Sequence, residues 1–332
     1  MKNLVAVVAA LALLLALAAG SGAREVKRDF ERSFEVQDGF CLYLDFGDGD
    51  VDIQPWDENT VKVSVFYHAD IKTLGGGPPD FDVEFREGDD AIYIIGVENP
   101  TSPFLGLRTE RVYNYTYTIK APRYLDLDLT GDDGDVTVQG WAGRIECALD
   151  DGDVSLSELA APSVRIRLED GDVRIGGSAG ELLVVCEDGD IVIVGADATT
   201  CRIEVDDGDV TIKESSGTLE IAAEDGRVTL RDVTAPRLDI KTDDGSVDVS
   251  LVETESPEIE IETSDGGVMI DLERGTSAAI SIRVADGNID ADLSGWDTLE
   301  KGEDWLSGEI HGGRGRIRIR TDDGDVFLRE AK

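Results

Sequence analysis

Carboxylates flank a recurring glycine at fixed spacing, and clustered carboxylate oxygens are ligands for hard cations. Asp133, Asp151, Asp170, Asp188 and Asp207 precede that glycine by one residue, and Asp135, Asp153, Asp172, Asp190 and Asp209 follow it by one. Ca²⁺ is the cation such an edge would take, so these residues form a candidate metal-binding edge. The alternative is that Asp simply suits the turns and solvates an exposed edge. After Asp209 the second position is occupied by Arg227, Ser246, Gly267 and Asn288, which confines a doubled acidic column to the earlier repeats. Calcium β-rolls carry such turns on both sides of a coil, and only one side reads as acidic here.

Other chemistry is sparse. His68 and His311 are the only histidines and stand far apart in the chain. No serine elbow, Cys/His zinc spacing or phosphate-binding loop is present, and paired carboxylates are too common to single out an acid–base pair. No catalytic residue and no cofactor beyond Ca²⁺ is expected. A polysaccharide-acting β-helix enzyme would need an out-of-register acidic and basic cluster on one sheet face, and none is found. Cys147, Cys186 and Cys201 fall on inward strand positions and read as buried free thiols. Cys186 and Cys201 are four residues out of line on adjacent repeats, beyond disulfide reach.

The elements that must position the aspartates are strands. The turn glycines stand at 134, 152, 171, 189, 208, 226, 245, 266, 287 and 324, mostly 18 or 19 residues apart. Around each, apolar residues fall at −7, −5, −3, +2 and +4, as in Val164, Ile166, Leu168, Val173 and Ile175. Spacing by two is the strand period, so one strand enters the turn and another leaves it. Small or proline-containing loops, such as Ala161-Pro162 and Ala235-Pro236, close the far side. The chain is therefore all-β, and the expected architecture is a single-stranded-coil parallel β-solenoid (β-helix) of two-strand coils, 18–19 residues per coil, flattened onto two sheets. The last interval, 37 residues, equals two coils, which predicts a degenerate coil near residues 296–312 that has lost its Asp-Gly turn. Trp296 and Trp305 lie in it, as a cap over the solenoid end or as a ligand-stacking pair. Leu183, Val185, Val192 and Val194 break the polar outward pattern, through β-propensity or as a docking patch for self-association.

Three segments follow: a signal peptide at 1–23, irregular amino-terminal β coils with loop insertions at 24–122, and the regular solenoid at 123–332. A separate small β-sandwich is the alternative for the middle segment. Lys2, an apolar run at 4–19 and the exit Gly20-Ser21-Gly22-Ala23 have the order of a secretory signal, which places the protein outside the cytoplasm. Retention of that run as an anchor is the alternative. No other apolar run reaches the length of a membrane span. The formal net charge is −40, which argues against nucleic acid, whose binding runs through Lys and Arg. Basic proteins, cell-surface polymers or cations are the partners such a charge favours.

The sequence also resembles the bacterial adhesin-like β-strand-repeat family, a domain of unknown function. Ser33-Phe34-Glu35-Val36 and Gly49-Asp50-Val51-Asp52-Ile53 resemble its first coil, and Tyr117-Thr118-Ile119-Lys120-Ala121-Pro122 its entry to the regular repeat. The run Leu306-Ser307-Gly308-Glu309-Ile310-His311-Gly312-Gly313, with Gly324-Asp325-Val326-Phe327-Leu328, resembles its ending. The resemblance implies an exported β-solenoid, an adhesin or envelope scaffold, and carries no catalytic residues. The family usually writes Asn-Gly or Ser-Gly at its turns, so any cation property would be specific to this chain.

Overall fold

The computed structural model describes residues 23–72, 80–99 and 111–331. The expected signal peptide lies outside them apart from Ala23, as do residues 73–79 and 100–110 within the segment expected to carry loop insertions. The described chain is all-β, with 26 strands and a β-solenoid-like build. No helix among the described residues is long and apolar enough to cross a membrane.

Alternation sets the two walls. The residues at −7, −5 and −3 before each glycine form one wall, as in Ile145–Asp151, Asp197–Asp207 and Glu258–Asp265. Those at +2 and +4 form the other, as in Val136–Gln139, Ile191–Val194 and Val210–Lys213. Successive repeats pair in parallel: Ile145 with Val164, Leu182 with Cys201, Val210 with Val228. Val164, Ile166, Ile203, Val210 and Ile212 are wholly buried between the walls, as their spacing predicts.

The glycine column has a cause the sequence reading did not supply. Each turn glycine lies against the backbone of the glycine in the neighbouring repeat. A Cβ on Gly171 would run into the carbonyl of Gly152, and one on Gly208 into that of Gly189. Gly245 does not have a left-handed φ, yet a Cβ there would strike the carbonyl of Gly226. Close backbone approach, beyond the positive φ of most members, thus excludes side chains.

The far turn has its own rule. Six residues after the glycine the backbone is left-handed at Gly140 (φ 66), Glu158 (φ 54), Gly195 (φ 63), Glu214 (φ 51) and Asp232 (φ 54). Glu tolerates this conformation poorly and Asn tolerates it well. Glu214 is exposed. Glu214→Asn should raise stability by about 0.5 kcal/mol, measured by urea denaturation.

Two corrections concern order. The segment expected as a degenerate coil is an antiparallel hairpin: Trp296–Lys301 pairs with Trp305–Ile310, which pairs antiparallel with Ala278–Asp286. The hairpin covers the end of one wall, in keeping with a cap and against a coil. The final repeat does not stack beyond it. Gly315–Asp323 is inserted between Glu258–Asp265 and Ala278–Asp286, and Val326–Glu330 between Val268–Leu272 and Ile289–Asp292.

The amino-terminal third shows the same device. Cys41–Asp45 lies between Ala91–Asn99 and Asp126–Asp133, in parallel with both. Asp50–Trp56 lies between Arg111–Pro122 and Val136–Gln139. Outside these, Asp80–Glu87, Thr60–Lys72 and Ala23–Glu35 pair antiparallel and close the end. Aromatic rings fill it: Phe81 packs 4.7 Å from Tyr115 and 5.1 Å from Tyr67.

Candidate functional site

The turns bring the aspartates of the edge into register. Asp133, Asp151, Asp170, Asp188 and Asp207 are neighbours along one column, all exposed. The column continues through Asp225, Asp244, Asp265 and Asp323 to Asp286. Their main-chain carbonyls accept the turn glycine N–H groups, for example Gly171 N to Asp188 O at 2.9 Å.

The second column does something different. Each of its carboxylates accepts a hydrogen bond from the backbone N–H at the same place in the next repeat. Asp153 N donates to Asp135 Oδ1 (3.0 Å), Asp172 N to Asp153 (2.9 Å), Asp190 N to Asp172 (3.0 Å) and Asp209 N to Asp190 (2.9 Å). Asp50 begins the series by accepting from Asp135 N, and Arg227 N ends it on Asp209 (2.8 Å). Asp325 repeats the bond with Asn288 N (2.8 Å) across the inserted repeat. These carboxylates satisfy turn N–H groups that the strands leave unpaired, and a charged acceptor strengthens each bond. One oxygen of each is thereby committed to the frame. Among the described residues no three Asp, Glu, His or Cys side chains converge to hold a metal ion.

Within the first column, desolvation raises Asp188, Asp225 and Asp265 above the ordinary aspartate value, and repulsion from column neighbours such as Asp170 and Asp207 adds to it. Glu169, one position further from the glycine, is raised by Asp150 and Glu187. A carboxylate whose folded pKa is raised binds its proton more tightly in the folded chain. Its favourable contribution is complete below the unfolded pKa and is lost as pH rises through the folded one. The melting temperature should therefore rise as pH falls from neutrality into the carboxylate range. Screening predicts that Ca²⁺ and Mg²⁺ raise it equally at neutral pH; scanning calorimetry with each ion and with chelator checks both statements.

The remaining candidates are placed as follows. Cys41, Cys147, Cys186 and Cys201 are free thiols. Burial pushes Cys147 and Cys201 up to about 12 and Cys186 up to about 11, so none is a ready nucleophile. His311 is a turn residue at φ 48, with Nδ1 3.0 Å from Thr276 O. Leu183 and Val185 lie on one wall between Arg165 and Arg202 and between Arg167 and Glu204. Val192 and Val194 lie on the other, and Val194 is exposed. Tyr43 and Tyr93 stack on the surface at 4.9 Å, a pair that sequence spacing did not single out. Shallow grooves on the first wall are lined by charged residues, among them Glu204, Lys241, Glu262 and Arg320.

Sequence reasoning also missed three ion pairs. Arg316, Arg318 and Arg320 stand beside Glu258, Glu260 and Glu262 at 3.9, 3.0 and 3.4 Å. The signal was present as Glu-Ile-Glu-Ile-Glu at 258–262 and Arg-Ile-Arg-Ile-Arg at 316–320.

With this geometry in hand, comparison with known proteins gives a family match. The Toastrack DUF4097 family model matches twice, over residues 42–218 and 181–329. No curated protein has a matching sequence. Among solved structures, a candidate cell adhesion protein from Clostridium sporogenes is 12% identical, covering 93% of this chain and 100% of its own, at a TM-score of 0.23. A candidate adhesin from Bacteroides fragilis is 11% identical over 92% of this chain and 97% of its own, at a TM-score of 0.35. A candidate lipid binding protein from Parabacteroides distasonis is 12% identical over the same shares, at 0.26. At such identities and TM-scores these chains inform neither the ligand nor the activity of this one.

Proposed function

Given that the chain belongs to the Toastrack DUF4097 family, we propose that it is a non-enzymatic, exported protein of the cell envelope, an adhesin or surface scaffold. Its working form is a parallel β-helix of two-strand coils, 18–19 residues per coil, with antiparallel strands covering the amino-terminal end and one wall of the other. The observation that supports this reading best is the acidic turn edge. Its outer carboxylates are exposed in register, about 4.8 Å apart, while the adjoining column is hydrogen-bonded into the frame. A rigid polyanionic ridge of this kind presents a surface for basic proteins or cationic cell-surface polymers, and repels nucleic acid.

Antibody labelling of intact cells, followed by fractionation, tests the assignment. Envelope-associated chain at the cell surface is the expected result. Chain confined to the soluble cytoplasmic fraction would refute it. Calcium binding is the second reading, favoured by the mutual repulsion along Asp170, Asp188 and Asp207. It requires a rise in melting temperature with Ca²⁺ that Mg²⁺ does not reproduce.

A further inference from the structure

The inserted repeat at 315–330 occupies a slot whose two sides, 258–272 and 278–292, precede it in the chain. Its charges match one side of that slot. Arg316, Arg318 and Arg320 face Glu258, Glu260 and Glu262, whereas the other side offers Ala279, Ser281 and Arg283 at the same positions. Exposed pairs contribute little individually, but three in a row select position and register.

The connection that carries the segment into the slot is short and bent. His311, Gly312 and Gly313 are successive left-handed residues at φ 48, 89 and 61. Buried Ser277 pins them, donating from Oγ to His311 O (2.7 Å) and accepting from Arg314 N (3.0 Å). Gly312 N donates to Asp297 Oδ2 at 2.7 Å. A residue other than glycine at positive φ carries a small cost, and extension of this hinge removes it at His311.

We propose that residues 315–330 are an exchangeable clasp, able to fill the slot of a second copy of this chain and join two chains reciprocally. Exchange preserves every strand pairing and ion pair of the slot, and only the hinge changes conformation. Short hinges under strain favour such exchange.

Two complementary variants test it. R316E/R318E/R320E sets Glu against Glu in its own slot, and E258R/E260R/E262R sets Arg against Arg. Neither closes well on itself, yet each segment suits the slot of the other. Refolded together and run on the analytical ultracentrifuge, the two should give a 1:1 heterodimer of twice the single-chain mass, which neither gives alone. A second variant leaves the charges intact: deletion of Gly312 and Gly313 makes the hinge too short to return to its own slot. That variant should sediment as a dimer in place of the monomer. A mixture without heterodimer, or a deletion variant that yields anything other than dimer, overturns the proposal.

Discussion

Alanine at Gly208 should remove at least about 3 kcal/mol of stability, seen as a large fall in the urea midpoint. Two effects combine there. The residue has φ 154, and its Cβ would meet the carbonyl of Gly189 on one side of the stack. Backbone cannot move aside without shifting the repeats above and below, because interiors are close-packed and transmit strain. Two other glycines separate the effects. Gly195 has φ 63 but open space around a Cβ, so Gly195→Ala should cost only about 1 kcal/mol. Gly245 lacks the left-handed φ but faces the carbonyl of Gly226, so Gly245→Ala should approach the Gly208 effect. Equal, small losses at all three positions would show that the column does not depend on close approach.

The second large effect is expected at Trp141. Its side chain is wholly buried, at a far-turn position where other repeats place Leu159, Ala196, Ser215 or Val233. Its Nε1 donates to Leu125 O at 2.8 Å, which satisfies a buried carbonyl as the chain enters the regular repeats. Trp141→Ala should lower stability by about 4 kcal/mol, from lost burial and the cavity left behind. Trp141→Phe keeps most of the volume but orphans the carbonyl, and should cost about 1–3 kcal/mol. Denaturant unfolding monitored by circular dichroism distinguishes the two, and a Phe variant as stable as the parent would remove the hydrogen bond from the account.

The repeat itself was legible because its causes are local. Alternation at −7, −5, −3, +2 and +4 named Val164, Ile166, Cys201 and Ile203 as inward residues, and all are buried. The Asp-Gly turn was equally readable, although the role of Asp153 or Asp172 as acceptor for the next repeat was not, since that partner lies 18 or 19 residues away. The order of repeats was not readable from periodicity, because any repeat fits beside any other. The 37-residue interval misled for the same reason: a hairpin of Trp296–Lys301 and Trp305–Ile310 occupies the length of a coil. Only the facing charges of residues 258–262 and 316–320 mark where the last repeat belongs. Left-handed Glu158 and Glu214 went unseen because glutamate gives no hint of positive φ.

The out-of-order insertion is the feature on which the clasp depends, and one cross-link tests it. Glu260 and Arg318 are direct partners on adjacent parallel strands, and Arg318 is the direct partner of Ser281 on the next. Glu260 and Ser281 are therefore two strands apart, about 10 Å, beyond the span of a disulfide. In a Cys41→Ser background, mild oxidation of Glu260→Cys/Arg318→Cys should give near-complete intramolecular disulfide, and Glu260→Cys/Ser281→Cys should give none. The reverse outcome, with 260 joined to 281 and not to 318, would mean that the repeats stack in chain order and would contradict the account.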